Sequence, residues 1–354
     1  MGRFLFIGGW VVLNLKTVKY IVYKIVTYFV AFFIAITINF FIPRLMPGSA
    51  LSTLIAALTG AAGGITSVTA VGGNGALIAQ NIHYLEAEFG LLPQPWYIEY
   101  YHYILGIFTL HLGVSIEYYP LSVTKLIGSS IGLTLGEIIF ASVVAYFLGS
   151  WIGSISAMRR GRKSDIILSI IFAIFITIPT FVLIMYLELI FSVDLRLVTI
   201  SFPGFTNLSW RALLRLLNFY AIPMTSFIVS LIPGFMFGMR NTMIHTLRDN
   251  YASYAEILGF RKNNIRKMVY RNSMLPNITN FAITLGLGIS SALTIEGLLA
   301  IPGTGYYFGN AITSRDLPLL EGIFLIIIIM LIISLAIVEI AYGILDPRVR
   351  GEQG

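Results

Sequence analysis

Six stretches of this chain are each long and apolar enough to cross a bilayer, and nothing else in the sequence constrains the fold as strongly. They are 20–42, 129–152, 165–192, 217–239, 277–300 and 322–345. Each meets the requirement of about 20 apolar residues for a spanning helix. Lipid leaves no water for unpaired backbone groups, so such runs must satisfy their hydrogen bonds internally, as helices do. The expected fold is an all-α membrane protein of six transmembrane helices. Only 11% of the residues are charged, against about 25% in soluble domains. With no cysteine, disulfides and thiolate metal sites are excluded.

Basic residues set the orientation. With a cytoplasmic N-terminus, Arg3, Lys16, Lys19, Lys24, Arg159, Arg160, Arg162, Lys163, Arg240, Arg248, Arg261, Lys262, Arg266, Lys267, Arg271, Arg348 and Arg350 fall on the inner side. Arg44, Lys125, Arg196, Arg211, Arg215 and Arg315 fall outside. That is 17 of the 23 Lys and Arg inside, a strong positive-inside bias that puts both termini in the cytoplasm. The formal charge of +7 is split among separate membrane-flanking loops, which argues against nucleic acid and for anionic lipid. The small-residue run 51–82 would invert part of this pattern as a seventh span, so it reads as external structure. The resulting division is an N-terminal interfacial segment 1–16, a membrane domain 17–350 with an extended external insertion 43–128 and a cytoplasmic loop 240–276, and a tail 351–354.

Pro179, Pro223 and Pro233 lie inside predicted spans, where each removes a backbone donor and favours a kink; proline is also simply common in membrane helices. The inner loop RNTMIHTLRDNYASYAEILGFRKNNIRKMVYRNSMLP, 240–276, is long and basic with helix-forming composition. Two short helices with a turn at Gly259 fit it, because glycine permits a positive φ. It reads either as a docking knob for a cytosolic partner or as a solvated basic loop. No GxxxxGK[ST] occurs, so the chain has no phosphate-cradling loop of its own. His83, His102, His111 and His245 are scattered and do not have metal-ligand spacing. Glu137, Glu188, Glu296 and Glu339 lie within spans, where charge is costly. They read as a proton relay or substrate contact, or more economically as inward-facing structural carboxylates. In the fifth span Gly286, Gly288, Ser290, Ser291 and Thr294 permit close helix packing and would also give a polar wall to a pathway.

The loop 240–276 resembles the EAA loop of ABC importer permeases. Ala255 and Gly259 stand at the motif's second alanine and glycine, and Leu275–Pro276 at its closing Leu-Pro; Ser253 and Tyr254 replace its glutamate and first alanine, and Glu256 lies three residues too late to be that glutamate. The resemblance extends along most of the chain, through LMPGSA (45–50), MRRGRKSD (158–165), IPTF (178–181), IEGLLAIPGTG (295–305), SRDLPLLEG (314–322) and ILDPRVR (344–350). Their order and spacing are similar to the dipeptide/oligopeptide permeases, and to the first of that family's two permease subunits. The resemblance implies a multi-pass subunit of the cell membrane that moves peptides or oligosaccharides by alternating access; nickel is a further cargo in the family. It implies a second homologous permease forming a heterodimer, two cytosolic ABC ATPases, and an extracellular substrate-binding protein. The chain itself would bind no cofactor, be no enzyme, and leave ATP and Mg to the ATPases. The implied ATPase-coupling residues are Ala255, Glu256, Gly259, Arg261, Leu275 and Pro276. The implied pathway lining is Pro179, Thr180, Gly286, Gly288, Ser290, Ser291, Thr294 and Glu296. The alternative reading is an ion-coupled secondary transporter that uses Glu137 and Glu296.

Overall fold

The computed structural model describes residues 15–45, 94–199, 202–204 and 209–345, side-chain positions excepted at 15–21, 275 and 338–345. The expectations for 1–14, for the run 51–82, for most of the Pro-Gly turn at 45–50, and for the Asp-Pro-Arg close lie outside these residues. The elements are helices α1 (Leu15–Arg44), α2 (Trp96–Thr109), α3 (Val123–Met158), α4 (Lys163–Thr177), α5 (Thr180–Glu188), α6 (Trp210–Thr246), α7 (Asn250–Ile257), α8 (Lys262–Leu298), α9 (Thr304–Ser314) and α10 (Leu317–Leu345). No strand occurs among the described residues, and a π-helical turn, Leu189–Asp194, extends α5. Five helices are long and apolar enough to cross a membrane, and six spans result if the bent pair α4–α5 counts as one. The fold is thus the all-α membrane bundle that the apolar runs predict.

The third span departs from a simple kink. Between α4 and α5 the chain bends by 94°. Pro179 has no N–H to continue the ladder, and its ring drives the preceding residue out of the helical region; Ile178 is accordingly extended, with ψ 118°. Pro223, Pro233 and Pro276 by contrast remain inside continuous helices.

The centre of the bundle is the pairing of α3 with α6. Glycine makes it close: a Cβ on Gly149 would overlap the Ile232 carbonyl, and one on Gly153 would overlap that of Met236. Four residues apart on one face of α3, these two glycines let the helix backbones touch. Buried Ala145, Tyr146, Ile232 and Phe235 pack beside them. A larger apolar cluster joins α3, α6, α8 and α10 through Ile138, Phe227, Ile289, Leu293 and Ile323. Many large apolar side chains remain exposed, including Phe29, Phe33, Ile167, Ile170 and Phe147, as a lipid-facing surface requires.

Side-chain caps fix the starts of α3, α6 and α10. Ser122 accepts from the Lys125 N–H at 3.4 Å and Ser209 from that of Ala212 at 3.2 Å. Asp316, just before α10, accepts from the Leu319 N–H at 3.1 Å, and its other oxygen takes the Ser115 hydroxyl at 2.5 Å and the Glu117 N–H at 3.1 Å. This ties the segment between α2 and α3 to the start of the last span.

Candidate functional site

The predicted inner loop is mostly helix. α6 continues to Thr246 and α8 begins at Lys262, so the 240–276 stretch consists of the ends of two long helices and the short α7 between them. Arg240 lies within α6, and Pro276 at the other boundary sits inside α8 without ending it. The turn falls at Gly259 with φ +76°. The Phe260 N–H donates to the Ala255 carbonyl and the Gly259 N–H to that of Glu256, both at 3.0 Å. This pair of bonds is the Schellman closure of α7, and its left-handed residue favours glycine.

α7 has two faces of different character. Ala252 and Ala255 are buried against Ala157, Met239, Met243, Ile265 and Val269 at the ends of α3, α6 and α8. Their small side chains let the short helix sit on the bundle. The other face exposes Tyr254 (64%), Ile257 (78%) and Leu258 (73%), with Phe260 half exposed just beyond. Glu256 is exposed on the same helix, and Arg261, also exposed, precedes α8. Pro276 lies within α8, and the side chain of Leu275 is outside the described residues. Exposed apolar residues thus cluster at the polar, basic end of the bundle.

Next to this platform, the Asp165 carboxylate is buried and fully engaged. Arg240 donates to it from Nε at 2.8 Å and from the guanidinium terminus at 2.9 Å, Ser156 donates at 2.5 Å, and the Gly161 N–H at 2.9 Å. The latch joins α3, α4 and α6 within the turn where α7 docks.

The predicted pathway residues divide into groups. Gly286 and Gly288 face neighbouring helices: a Cβ there would press on Ser334 of α10 and on Ile138 of α3 respectively. Ser290 and Thr294 point away from the bundle and are exposed, and Ser291 is half-buried. Pro179 is exposed at the bend, with Thr180 beginning α5. Glu296 is fully buried and accepts from the Gly305 N–H at 2.6 Å. The glycines of IPGTG make this possible, since a Cβ on Gly303 would overlap the Glu296 carboxylate and one on Gly305 would overlap the Leu293 backbone. Glu296 thereby anchors the N-terminus of α9, where a carboxylate is favoured. Thr134 of α3 joins the same knot, accepting from the Thr304 N–H at 2.9 Å.

Burial pushes the Asp316 carboxyl above the usual range, while the hydrogen bonds from Ser115, Glu117, Leu319 and Ile116 pull it back. Among the described residues no cluster of His, Asp or Glu could hold a metal ion. Sequence reasoning missed two features: the exposed apolar face of α7, which four large apolar residues in a polar loop could have signalled, and the Asp165–Arg240 latch, whose partners lie 75 residues apart.

Residues 149–351 match the family described as binding-protein-dependent transport system inner membrane component. A putative peptide permease protein of Brucella ovis is 30% identical over 78% of this chain and 86% of its own length. The dipeptide transport system permease protein DppB of Bacillus subtilis is 30% identical over 75% of this chain and 83% of its own. The oligopeptide transport system permease protein OppB of Haemophilus influenzae is 27% identical over 94% of this chain and 99% of its own.

Proposed function

The chain belongs to the family of binding-protein-dependent transport system inner membrane components, and from that premise we propose that it is a membrane-spanning subunit of an ATP-driven ABC importer of peptides. The observation that carries this reading is α7, held to the bundle by Ala252 and Ala255 while Tyr254, Ile257 and Leu258 stay exposed. The chain has no phosphate-binding loop, so the energy must enter from outside, and an apolar knob at the polar end of the bundle suits a soluble ATPase cleft.

In this reading the basic end, with both termini, faces the cytoplasm, where two ATPases grip α7 of this chain and its counterpart in a second permease. A binding protein delivers peptide at the opposite end. ATP-driven closure of the ATPases moves α7 and with it the ends of α3, α6 and α8, biasing the bundle between outward- and inward-open states. The cargo class follows the names of the relatives from Brucella, Bacillus and Haemophilus. In the ion-coupled alternative Glu296 would have to act while one of its oxygens holds the α9 turn through the Gly305 N–H.

The test is a double substitution, Ile257→Ser with Leu258→Ser, in the complete transporter. Because both side chains are exposed, membrane abundance should be unchanged, while ATPase co-purification and peptide uptake should be lost. Full uptake with the ATPases still bound would overturn the coupling role. Gradient-driven uptake by this chain alone in liposomes would overturn the ABC reading.

A further inference from the structure

One membrane crevice is left unexplained by packing. It lies between α3 and α6, has a volume of about 280 Å³, and is lined by Gly132, Gly136 and Glu137 with Leu217, Tyr220 and Met224. Gly128, Gly132 and Gly136 are spaced by four along α3, and a Cβ on any of them would meet nothing within 4 Å. Gly149 and Gly153, lower on the same helix, are filled by α6. The upper glycines therefore leave room where the lower ones admit a neighbour.

Glu137 forms part of the wall of this space. It is only 5% exposed, yet neither carboxylate oxygen has a hydrogen-bond partner among the described residues. The Tyr220 hydroxyl stands beside it as the nearest donor, able to offer one O–H to one of the two oxygens, and has no other partner. One oxygen of Glu296, close enough to Glu137 for charge repulsion, is unpartnered as well. Buried polar groups are nearly always satisfied, and each orphan costs free energy. Tyr220 brings one O–H to four unpartnered oxygens, so donors are short here, and a buried carboxylate calls for a proton or a cationic partner.

We propose that this crevice binds the protonated amino terminus of the peptide cargo, with Glu137 as its acceptor. The inference rests on the peptide-import reading above. An ammonium group brings positive charge and three N–H donors, matching acceptor-only carboxylate oxygens and a tyrosine hydroxyl. Leu217 and Met224 supply an apolar wall for the side chain of the same terminal residue, as small-molecule sites combine apolar walls with a few polar anchors. A metal ion fits poorly, because among the lining residues only Glu137 and the Tyr220 hydroxyl offer oxygen, fewer ligands than a hard cation takes.

The test uses the transporter assembled with its partner subunits in proteoliposomes and trileucine as cargo. Glu137→Gln keeps the shape and removes the charge. It should lower trileucine uptake about tenfold at subsaturating peptide, the size expected for losing a charge-assisted bond. Leu217→Trp, at an exposed position, should fill the crevice and lower uptake with Glu137 intact. As a direct readout, Leu217→Cys in this cysteine-free chain should react with a soluble maleimide during turnover. Trileucine should slow that reaction at least about threefold, and the protection should vanish when Glu137→Gln is added. Equal protection with and without the carboxylate, or none in either, overturns the proposal. So does loss of the second permease from the complex on Glu137→Gln, which would make the crevice a subunit contact. If the unsubstituted complex binds its ATPases but takes up no trileucine, the peptide reading itself fails and takes this inference with it.

Discussion

Arg240 of α6 grips Asp165 of α4 through two hydrogen bonds of 2.8 and 2.9 Å, with the carboxylate almost wholly buried and the guanidinium mostly so. The pair sits where α3, α4 and α6 converge beside the α7 platform. Removing one partner of such a pair leaves the other desolvated and unpaired. Asp165→Asn should destabilise the bundle by about 1.5–3 kcal/mol, the range for a hydrogen bond to a charged group. Thermal unfolding of the detergent-solubilised protein measures it. A melting temperature equal to that of the parent would mean that the latch contributes nothing.

Gly259 separates two effects of substitution. No atom lies within 4 Å of a Cβ placed there, but φ is +76°. Gly259→Ala should therefore cost only the left-handed strain, about 1 kcal/mol, and leave transport largely intact. Gly259→Trp carries the same strain and adds bulk at an exposed turn with open space around its Cβ, so a loss beyond that of Gly259→Ala is expected to arise at the partner. Normal membrane abundance with lost transport and weakened ATPase co-purification is expected. Parental transport with ATPases bound would reduce the turn to an ordinary loop.

The spans were legible because apolar runs of bilayer length have few alternatives, and Gly259 because only its residue type accepts the turn cheaply. The break at Ile178–Pro179 was foreseen only as a kink: proline shows that a ladder is interrupted, but packing of the following helix decides whether the axis bends a little or by 94°. The role of Glu296 was hidden for a different reason. Its partner is a backbone N–H, that of Gly305, which has no signature of its own. Gly286 and Gly288 face helices while Ser290 and Thr294 face outward, a division that depends on the rotation of α8 and that composition does not encode.

Asp316 should give the fold a pH dependence. Burial holds its folded pKa above the ordinary value. A raised folded pKa means that the protonated form is favoured on folding, so its contribution is fully present below the ordinary carboxylate range and is lost as pH rises through the folded pKa. Asp316→Ser retains a capping oxygen without a titrating group. The melting-temperature advantage of Asp316 over Ser should therefore be larger in acid than at neutral pH. A difference that grows toward neutral pH would show that the hydrogen bonds outweigh desolvation.

The proposed orientation can be read directly, since the chain has no native cysteine. Lys262→Cys lies at the start of α8 on the basic end, and Lys125→Cys lies near the start of α3 at the opposite end. In sealed cells an impermeant maleimide should label position 125 and spare 262 until the membrane is opened. The reverse pattern would invert the topology.

The exposed stripe of α8, which carries two hydroxyls between two leucines, gives the last expectation. Leu287, Ser290, Thr294 and Leu298 are exposed at helical spacing, while Ile289, Ala292, Leu293 and Ile295 are buried. Hydroxyl side chains gain nothing from facing lipid, whereas a permease needs one wall that water and cargo can wet. If Ser290 and Thr294 line the pathway, Ser290→Cys and Thr294→Cys should react with a small water-soluble thiol reagent in the assembled transporter, and ATP should change the rate as the pathway opens and closes. Ala292→Cys, on the packed face, should stay unreactive under both conditions. Equal inertness at 290, 292 and 294 would place this stripe against lipid or a dry subunit interface and remove α8 from the pathway wall.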